Sequence, residues 1–212
     1  CLVGSEMCIR DRPQMIPKIL PKFSHYGNGL CVFLSIAAGV KISSFEALLG
    51  QKTPIIRAMP NTPAEIGLGI TAQIANENVS KDAFEVAGKL LSAIGEVVSL
   101  NSEDQMDAVT GLSGSGPAYV FYLIDALALA GRGQGLDKEL AMKLAKMTVL
   151  GAGKLAASSS VVPSDLRVNV TSPNGTTEAG LNILMDNENG LGPLIEKTVA
   201  AATARSKELA NG

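Results

Sequence analysis

Residues 169–180 form the segment whose residue types and spacing are best suited to chemistry. Pro173 fixes one backbone φ angle, Asn174 tolerates a left-handed conformation, and Gly175 lets a ligand approach the backbone. The pair Thr176-Thr177 then begins an amphipathic helix. Backbone N–H groups in such a turn and first helical turn converge on one point and favour an anion there. The segment therefore predicts a binding site for a carboxylate or a phosphate.

The same residues also allow a β-hairpin that turns at Asn174-Gly175, because this dipeptide is a common hairpin turn. The residues that follow favour the helix instead. Leu181, Leu184 and Met185 continue a period of 3.6, whereas a returning strand would alternate. We therefore expect the helix and keep the hairpin as the alternative.

Two further segments lie where predicted strands end. Residues 35–39, Ser-Ile-Ala-Ala-Gly, place small side chains at the carboxyl end of a strand, where open α/β sheets bind ligands and larger side chains would block a flat ring. Residues 59–63, Met-Pro-Asn-Thr-Pro, form a loop that two prolines stiffen and that offers one amide and one hydroxyl. Each segment also has an ordinary interpretation, a strand exit for the first and a rigid turn for the second.

The chain lacks the GxGxxG fingerprint of a dinucleotide-binding loop. Residues 111–116 read Gly-Leu-Ser-Gly-Ser-Gly, which is the reversed spacing GxxGxG, and they follow a helical start rather than a strand. We interpret these glycines as structural, because they let backbones pack closely before Pro117 opens a helix.

The sequence up to residue 102 predicts the framework that positions the two strand-end segments. Strands are predicted at residues 30–36, 53–59, 68–75 and 97–100, and the first is apolar enough to be buried on both faces. Ser43 or Ser44 is expected to cap a short helix that ends at Leu49, and Ser80 to cap a second helix. Elements that alternate in this way predict a parallel or mixed sheet with helices on its faces.

From residue 103 onward the pattern is helical, so we expect a domain boundary near residue 102. Residues 117–130 are apolar on nearly every side, which predicts a helix that is buried all round. Asp137 is expected to cap the helix that follows. Because a small helical domain has little interior, we expect it to bury apolar surface in a dimer or a larger assembly.

Four motifs carry a resemblance to a known family. They are Ser-Ile-Ala-Ala-Gly at residues 35–39, Met-Pro-Asn-Thr-Pro-Ala at 59–64, Asp-Ala-Val-Thr-Gly-Leu-Ser-Gly-Ser-Gly-Pro-Ala-Tyr at 107–119, and Val-Thr-Ser-Pro-Asn-Gly-Thr-Thr-Glu-Ala-Gly at 170–180. In their order and rough spacing they resemble the pyrroline-5-carboxylate reductases, from Pro13 to the C terminus. One motif alone carries little weight, whereas four in sequence are hard to obtain otherwise.

The resemblance implies the fold class α/β followed by all-α. Residues 13–102 would form the C-terminal part of a Rossmann-like NAD(P)-binding domain, and residues 103–212 a helical dimerisation and substrate-binding domain. The first nucleotide-binding unit would be missing, so we expect this fragment to turn over little or nothing. Residues 1–12 lack a starting methionine and any periodicity, and we interpret them as an artefactual or disordered leader.

The implied reaction is the last step of proline synthesis, in which NADPH or NADH gives a hydride to the imine carbon of 1-pyrroline-5-carboxylate. The active site would be shared between the nucleotide domain of one subunit and the helices of its partner, in a dimer or a ring of dimers. The residues implied to lie near the nicotinamide are Ile36, Ala37, Ala38, Met59, Pro60, Asn61, Thr62 and Asn169. Those implied to surround the substrate are Glu103, Asn169, Ser172, Gly175, Thr176 and Thr177.

Thr177 and Glu103 are the implied catalytic residues. Amides around residues 172–177 suit the substrate carboxylate, and the imine nitrogen must be protonated for hydride attack to be easy. The Thr177 hydroxyl can hydrogen-bond that nitrogen, and Glu103 can stabilise the iminium charge. Glu103 also has a structural interpretation, an acid that complements the dipole of a first helical turn.

Composition excludes several kinds of partner. A net charge of -2 without a basic stripe argues against nucleic acid. The longest apolar stretch, residues 116–131, contains Asp125 and is shorter than the roughly 20 residues that a bilayer span requires. The chain has 3 cysteines without CxxC spacing, which argues against a disulfide framework and a metal site and favours the cytoplasm.

Two other functions stay open at this point. One is a different NAD(P)-dependent reductase that acts on an imine or a 2-hydroxyacid. The other is a helical dimer scaffold without catalysis.

Overall fold

The computed structural model describes residues 16–29 and 31–211, and its centre is a four-stranded sheet. The strands are β1 (Phe33–Ser35), β2 (Ile55–Met59), β3 (Gly69–Ala75) and β4 (Gly95–Ser99), and they lie in that order. Strand β1 pairs parallel with β2, β2 antiparallel with β3, and β3 parallel with β4. The sheet is therefore mixed, which is one of the two arrangements that the sequence predicts. The leader at residues 1–12 and Leu30 lie outside the described residues.

The strands are shorter than predicted at several ends. Strand β2 begins at Ile55 rather than at residue 53, because the amide of Thr53 closes a turn onto the carbonyl of Gly50 at 3.1 Å and Pro54 has no N–H to donate. Strand β1 is half-buried, so the prediction of burial on both faces is wrong for this chain. Strand β2 is buried along four of its five residues.

Helices alternate with the strands up to β4 and make up most of the described chain after it. They are α1 (Ile16–Ile19), α2 (Ile42–Leu49), α3 (Lys81–Leu91), α4 (Met106–Val109), α5 (Gly116–Gly133), α6 (Lys138–Ser158), α7 (Pro163–Asn169), α8 (Thr176–Leu184) and α9 (Leu191–Asn211). The short segments Leu20–Tyr26, Thr62–Ile66, Ser92–Ile94 and Glu103–Gln105 are 3-10 helices, and Thr110–Gly114 is a π-helical turn. The sequence therefore predicted the change from α/β to helical structure correctly.

The caps of two helices were predicted correctly, and that of a third was not. Ser80 caps α3, because its Oγ accepts the amide of Ala83 at 3.2 Å. Asp137 caps α6, because its Oδ1 accepts two backbone amides at 3.0 Å each. Ser43 and Ser44, in contrast, lie inside α2 and do not cap it. The residue before that helix, Lys41, offers no side-chain cap either.

A hydrophobic cluster fixes the N-terminal part of the sheet. It joins residues of α1, α2, β2 and the segments between them: Ile16, Leu20, Ala37, Ile42, Phe45, Leu49 and Ile55. Burying each large aliphatic side chain contributes about 1.5–3 kcal/mol, so this cluster stabilises the turn from β1 into α2. Ala37, one of the predicted cofactor residues, is therefore part of the core at 4% exposure.

The described chain divides into two compact units. The first takes the described residues up to Pro117 and continues from Val199, and the second is Ala118–Thr198. Within the first unit, Ser206 of α9 donates a hydrogen bond to Asp107 Oδ1 at 2.6 Å, and both residues are buried. A buried carboxylate needs such a donor, so this bond fastens the end of α9 to α4. The domain limits at residues 13–102 and 103–212 stay a prediction.

Helix α5 exposes much of its apolar surface. Phe121 is 61% exposed and Tyr122 is 76% exposed, so the prediction of a helix buried all round is wrong for the single chain. The helical run Glu103–Gly133 is long and apolar enough to cross a membrane by length and composition. The core helix of a soluble protein meets the same criterion, so this is weak evidence for a span.

Candidate active site

The segment that was predicted to bind an anion is a turn between two helices. Helix α7 ends at Asn169 and α8 begins at Thr176, so the alternative of a β-hairpin is wrong. Asn174 has a φ of 60°, the left-handed conformation that its type allows. The amide of Gly175 closes the turn onto the carbonyl of Ser172 at 3.0 Å. The turn therefore has the backbone conformation that the sequence predicts.

The start of α8 leaves donors for an anion. Gly175 is its N-cap and has no side chain to accept the first amides, which lack partners within the helix by geometry. Ser172, Thr176 and Thr177 are exposed around them. The helix dipole adds partial positive charge at the same place. This end of α8 can accordingly bind a small carboxylate.

Two amides of the turn are already used within the protein. The amide of Gly175 is bonded to Ser172, and that of Asn174 donates to Glu178 Oε2 at 2.6 Å. A Cβ on Gly175 would lie 2.6 Å from Ser172 Oγ and 2.9 Å from its carbonyl oxygen, so the turn is closed tightly on itself. The donors available to a ligand are therefore those of Thr176 and the residues after it.

The structure brings the two strand-end segments together at one edge of the sheet. Strands β1 and β2 are parallel, with Ser35 opposite Arg57, so residues 36–38 and 59–62 follow neighbouring carboxyl ends. Ala37 is buried, whereas Ile36, Ala38, Met59 and Pro60 are half-buried. Small side chains beside a half-buried surface at this edge fit the flat end of a nicotinamide cofactor.

Asn61 has a structural role in its loop. Its Oδ1 accepts the amide of Ile70 at 3.0 Å, and its Nδ2 donates to Ser113 Oγ at 3.4 Å. The side chain thus ties the loop to β3 and to the π-helical turn. Thr62 begins the 3-10 helix Thr62–Ile66 and is exposed.

Two of the three glycines in residues 111–116 allow close packing, as predicted, whereas a Cβ on Gly116 would have nothing within 4 Å. A Cβ on Gly111 would collide with Thr203 Oγ1 and lie 3.0 Å from the carbonyl oxygen of Val199. A Cβ on Gly114 would lie 2.6 Å from Met59 Cε, so this glycine makes room for a predicted cofactor residue.

Glu103 is held by two groups that sequence reasoning missed. Its Oε1 accepts the amide of Ile42 at 2.9 Å and Arg57 Nη1 at 2.8 Å. The Arg57 side chain is 4% exposed and that of Glu103 is 27% exposed. Arg57 stands in an otherwise apolar strand, and a buried cation requires an anionic partner, which was the signal available in the sequence.

A cavity of about 420 Å³ lies beside this ion pair and is lined entirely by charged residues. They are Lys41, Arg57, Glu103, Asp104, Asp107 and Lys207. Its charges are balanced, so it favours neither an anion nor a cation by net charge.

The predicted site residues fall into both units. Residues 36–38, 59–62 and Glu103 belong to the first, whereas Asn169, Ser172 and residues 175–177 belong to the second. Asn169 is the last residue of α7 and is exposed. Within residues 16–29 and 31–211, no group of three or more metal-binding side chains is placed to hold a metal ion.

The family model, the related sequences and the solved structures that this chain matches all carry the same family name. Residues 103–209 match the family model described as pyrroline-5-carboxylate reductase dimerisation. The pyrroline-5-carboxylate reductase of Pseudomonas aeruginosa is 49% identical over 84% of this chain and 65% of its own length. Pyrroline-5-carboxylate reductase 1 of Bacillus subtilis is 38% identical over 97% of this chain and 71% of its own length.

Solved structures of pyrroline-5-carboxylate reductases superpose on this chain over most of its length. A pyrroline-5-carboxylate reductase from Coxiella burnetii superposes with a TM-score of 0.87 at 39% identity, covering 93% of this chain and 73% of that one. The pyrroline carboxylate reductase of Plasmodium falciparum, solved with NADP bound, superposes with a TM-score of 0.83 at 30% identity, covering 93% and 74%. This chain spans about two thirds to three quarters of these relatives.

Proposed function

Because this chain belongs to the pyrroline-5-carboxylate reductase family, we propose that it is the reductase portion that binds 1-pyrroline-5-carboxylate and supports its reduction to L-proline with NADPH or NADH. The observation that carries the proposal is the turn before α8, where uncapped backbone amides meet exposed hydroxyl groups. Such a turn can bind the carboxylate of a small substrate that also carries an imine.

The substrate carboxylate would bind at the N terminus of α8. The amides of Thr176 and Thr177 would donate to it, and the Ser172 hydroxyl lies on the same exposed turn. Asn169 would contribute its amide from the end of α7. Gly175 keeps the turn closed, so these donors are preorganised before the substrate arrives.

Thr177 and Glu103 would handle the charge on the imine nitrogen. The Thr177 hydroxyl would hydrogen-bond that nitrogen in its protonated form, and the Glu103 carboxylate would stabilise the positive charge. The hydrogen bonds from Ile42 and Arg57 both go to Oε1 of Glu103, so Oε2 would supply this interaction. Catalysis by these groups consists of positioning and electrostatics.

The nicotinamide cofactor would lie at the carboxyl edge of β1 and β2. Residues 36–38 would face it from one strand end and residues 59–62 from the other, and by the family resemblance Asn169 would also contact it. When bound, this group supplies the hydride that reduces the C=N bond. Support for the cofactor comes from the Plasmodium relative, which was solved with NADP.

The assembly would be a homodimer or a ring of dimers in the cytoplasm. The match to the family's dimerisation domain over residues 103–209 supports a homo-oligomer, as does the exposed apolar surface of α5. Each active site would then combine the sheet of one subunit with the helices of its partner. We expect neither a nucleic acid nor a membrane to bind.

Thr177→Ala tests the proposed function in the full-length protein. We expect the turnover of 1-pyrroline-5-carboxylate to fall roughly 10²-fold or more, because a positioned proton donor contributes about that much. Thr177→Ser should keep most of the rate, and Thr148→Ala, an exposed threonine of α6, should keep all of it.

Steady-state kinetics together with the mass of the oligomer provide the measurement. A helical scaffold without catalysis would show no reductase activity in any variant. An enzyme that reduces 1-pyrroline as fast as its 5-carboxylate would be a different imine reductase, because the anion site would then be irrelevant. Either result would refute the proposal.

A further inference from the structure

We propose that Arg57 is a positioning residue that acts through Glu103 on both segments assigned to the nicotinamide. This inference rests on the proposed function, because it concerns the same cofactor site. Arg57 itself lies on β2, two residues before Met59, and its side chain contacts Glu103 rather than the carboxyl edge of the sheet.

One carboxylate oxygen of Glu103 replaces the missing cap of α2. Lys41 occupies the N-cap position in an extended conformation and makes no side-chain cap hydrogen bond. Ser43 and Ser44 lie inside the helix and do not cap it either. Glu103 Oε1 accepts the amide of Ile42, the first residue of the helix, at 2.9 Å. The segment at residues 36–41 is therefore held at its C-terminal end by a residue distant in sequence.

Arg57 determines where that oxygen lies. Its Nη1 donates to the same Oε1 at 2.8 Å, and its side chain is 4% exposed. A buried guanidinium cannot be left unpaired, so Arg57 and Glu103 constrain each other strongly. Oε1 is thus fixed by a cation on β2 and in turn fixes the start of α2.

This bond is also linked to the cofactor site. The segment before α2 contains Ile36, Ala37 and Ala38, and the segment after β2 contains Met59 to Thr62. Both follow neighbouring parallel strands, so their spacing sets the width of the surface on which a nicotinamide would lie. Losing the shared oxygen should let the two segments separate without altering the turn before α8, which presents the anion site.

Amide hydrogen exchange of the protein without ligands gives the first test. Arg57→Gln removes the cation, Glu103→Gln weakens the acceptor, and Arg57→Lys keeps the charge. We expect faster exchange in peptides covering residues 36–44 and 58–62 for the two Gln variants, with partial recovery in Arg57→Lys. Asp104→Asn is the matched control, because Asp104 is an acid of the same cavity that is exposed and accepts no side-chain hydrogen bond in the described residues.

Titration of the full-length protein with NADPH gives the second test, read from the fluorescence of the reduced nicotinamide. We expect Arg57→Gln to bind NADPH at least about fivefold more weakly, because the segments loosened in the variant must be ordered when the cofactor binds. With saturating cofactor, its KM for 1-pyrroline-5-carboxylate should change by a smaller factor than the dissociation constant for NADPH, because the substrate carboxylate would bind at the turn before α8 and not at Glu103. If Arg57→Gln does not fold, Arg57→Lys carries the same comparison.

Two results would overturn the inference. One is Arg57→Gln with unchanged exchange at residues 36–44 and unchanged NADPH affinity. The other is a loss confined to the KM for 1-pyrroline-5-carboxylate, which would mean that Arg57 acts only on the substrate side of Glu103 and does not position the cofactor segments. A wild-type enzyme that binds NADPH but does not reduce 1-pyrroline-5-carboxylate would instead refute the proposed function and leave the exchange result to decide this inference.

Discussion

Two adjacent residues of the turn before α8 meet different steric demands. Asn174 adopts a φ of 60°, which costs most side chains about 1 kcal/mol and glycine very little. Gly175 has an ordinary φ of -84°, but any side chain there would collide with Ser172. The first position thus needs a particular backbone conformation, and the second needs the absence of a Cβ.

Substitutions at these two positions should therefore differ in how much they destabilise the protein. We expect Gly175→Ala to lower the free energy of unfolding by about 1–3 kcal/mol, because the collision involves backbone atoms. Asn174→Gly should be tolerated, because glycine adopts the same φ without strain. Gly180→Ala is the control within α8: nothing lies within 4 Å of its Cβ, so alanine should stabilise the helix by about 0.5–1 kcal/mol.

Urea denaturation of the three variants measures these differences. A Gly175→Ala protein as stable as wild type would show that the turn opens easily. That result would also weaken the claim that its donors are preorganised.

Helix starts show how far local sequence determines an element. Asp137 lies immediately before α6 and accepts two of its first amides. Helix α2 has no such residue, and Glu103 replaces it from 61 residues away. A cap that adjoins its helix can be predicted from the residue type and position, whereas a cap from a distant residue cannot.

Asp137→Ala should lower the free energy of unfolding by about 0.5–2 kcal/mol, the usual cost of losing an N-cap. Asp137→Asn keeps the accepting oxygen and is the matched control, which should stay within a few tenths of a kcal/mol of wild type. Thermal unfolding followed by circular dichroism provides the comparison. Equal losses in both variants would mean that the charge, and not the hydrogen bonds, stabilises the start of α6.

At the scale of the whole molecule, apolar surface on the helical half needs a partner. Phe121, Tyr122 and Leu129 of α5 are each more than 60% exposed in the single chain. They lie within residues 103–209, which match the family's dimerisation domain. Apolar surface of this kind marks an interaction site on a soluble protein.

Phe121→Lys should shift the protein towards a smaller assembly, because a lysine buried in an apolar interface costs several kcal/mol. Val86→Lys makes the same change on α3, where Val86 is 65% exposed outside residues 103–209, and should leave the assembly unchanged. Light scattering after size-exclusion chromatography measures both masses. An unchanged mass for Phe121→Lys would place the interface elsewhere.

The sequence by itself determined the features that depend on neighbouring residues. The order of strands and helices, the caps at Ser80 and Asp137, the left-handed Asn174 and the helical start at Thr176 all follow from local backbone preferences and periodicity. These same features include the turn that we propose binds the anion, which is why its backbone conformation could be predicted.

Only the tertiary structure decided the contacts between distant residues. Glu103 meets Arg57 across 46 residues, Ser206 meets Asp107 across 99, and β3 runs antiparallel to β2 in a sheet whose other pairs are parallel. Many residues could pair with a buried charge or with the edge of a strand. The packing of the whole chain determines which of them does. Periodicity and caps contain no information about that choice, because they describe one element at a time.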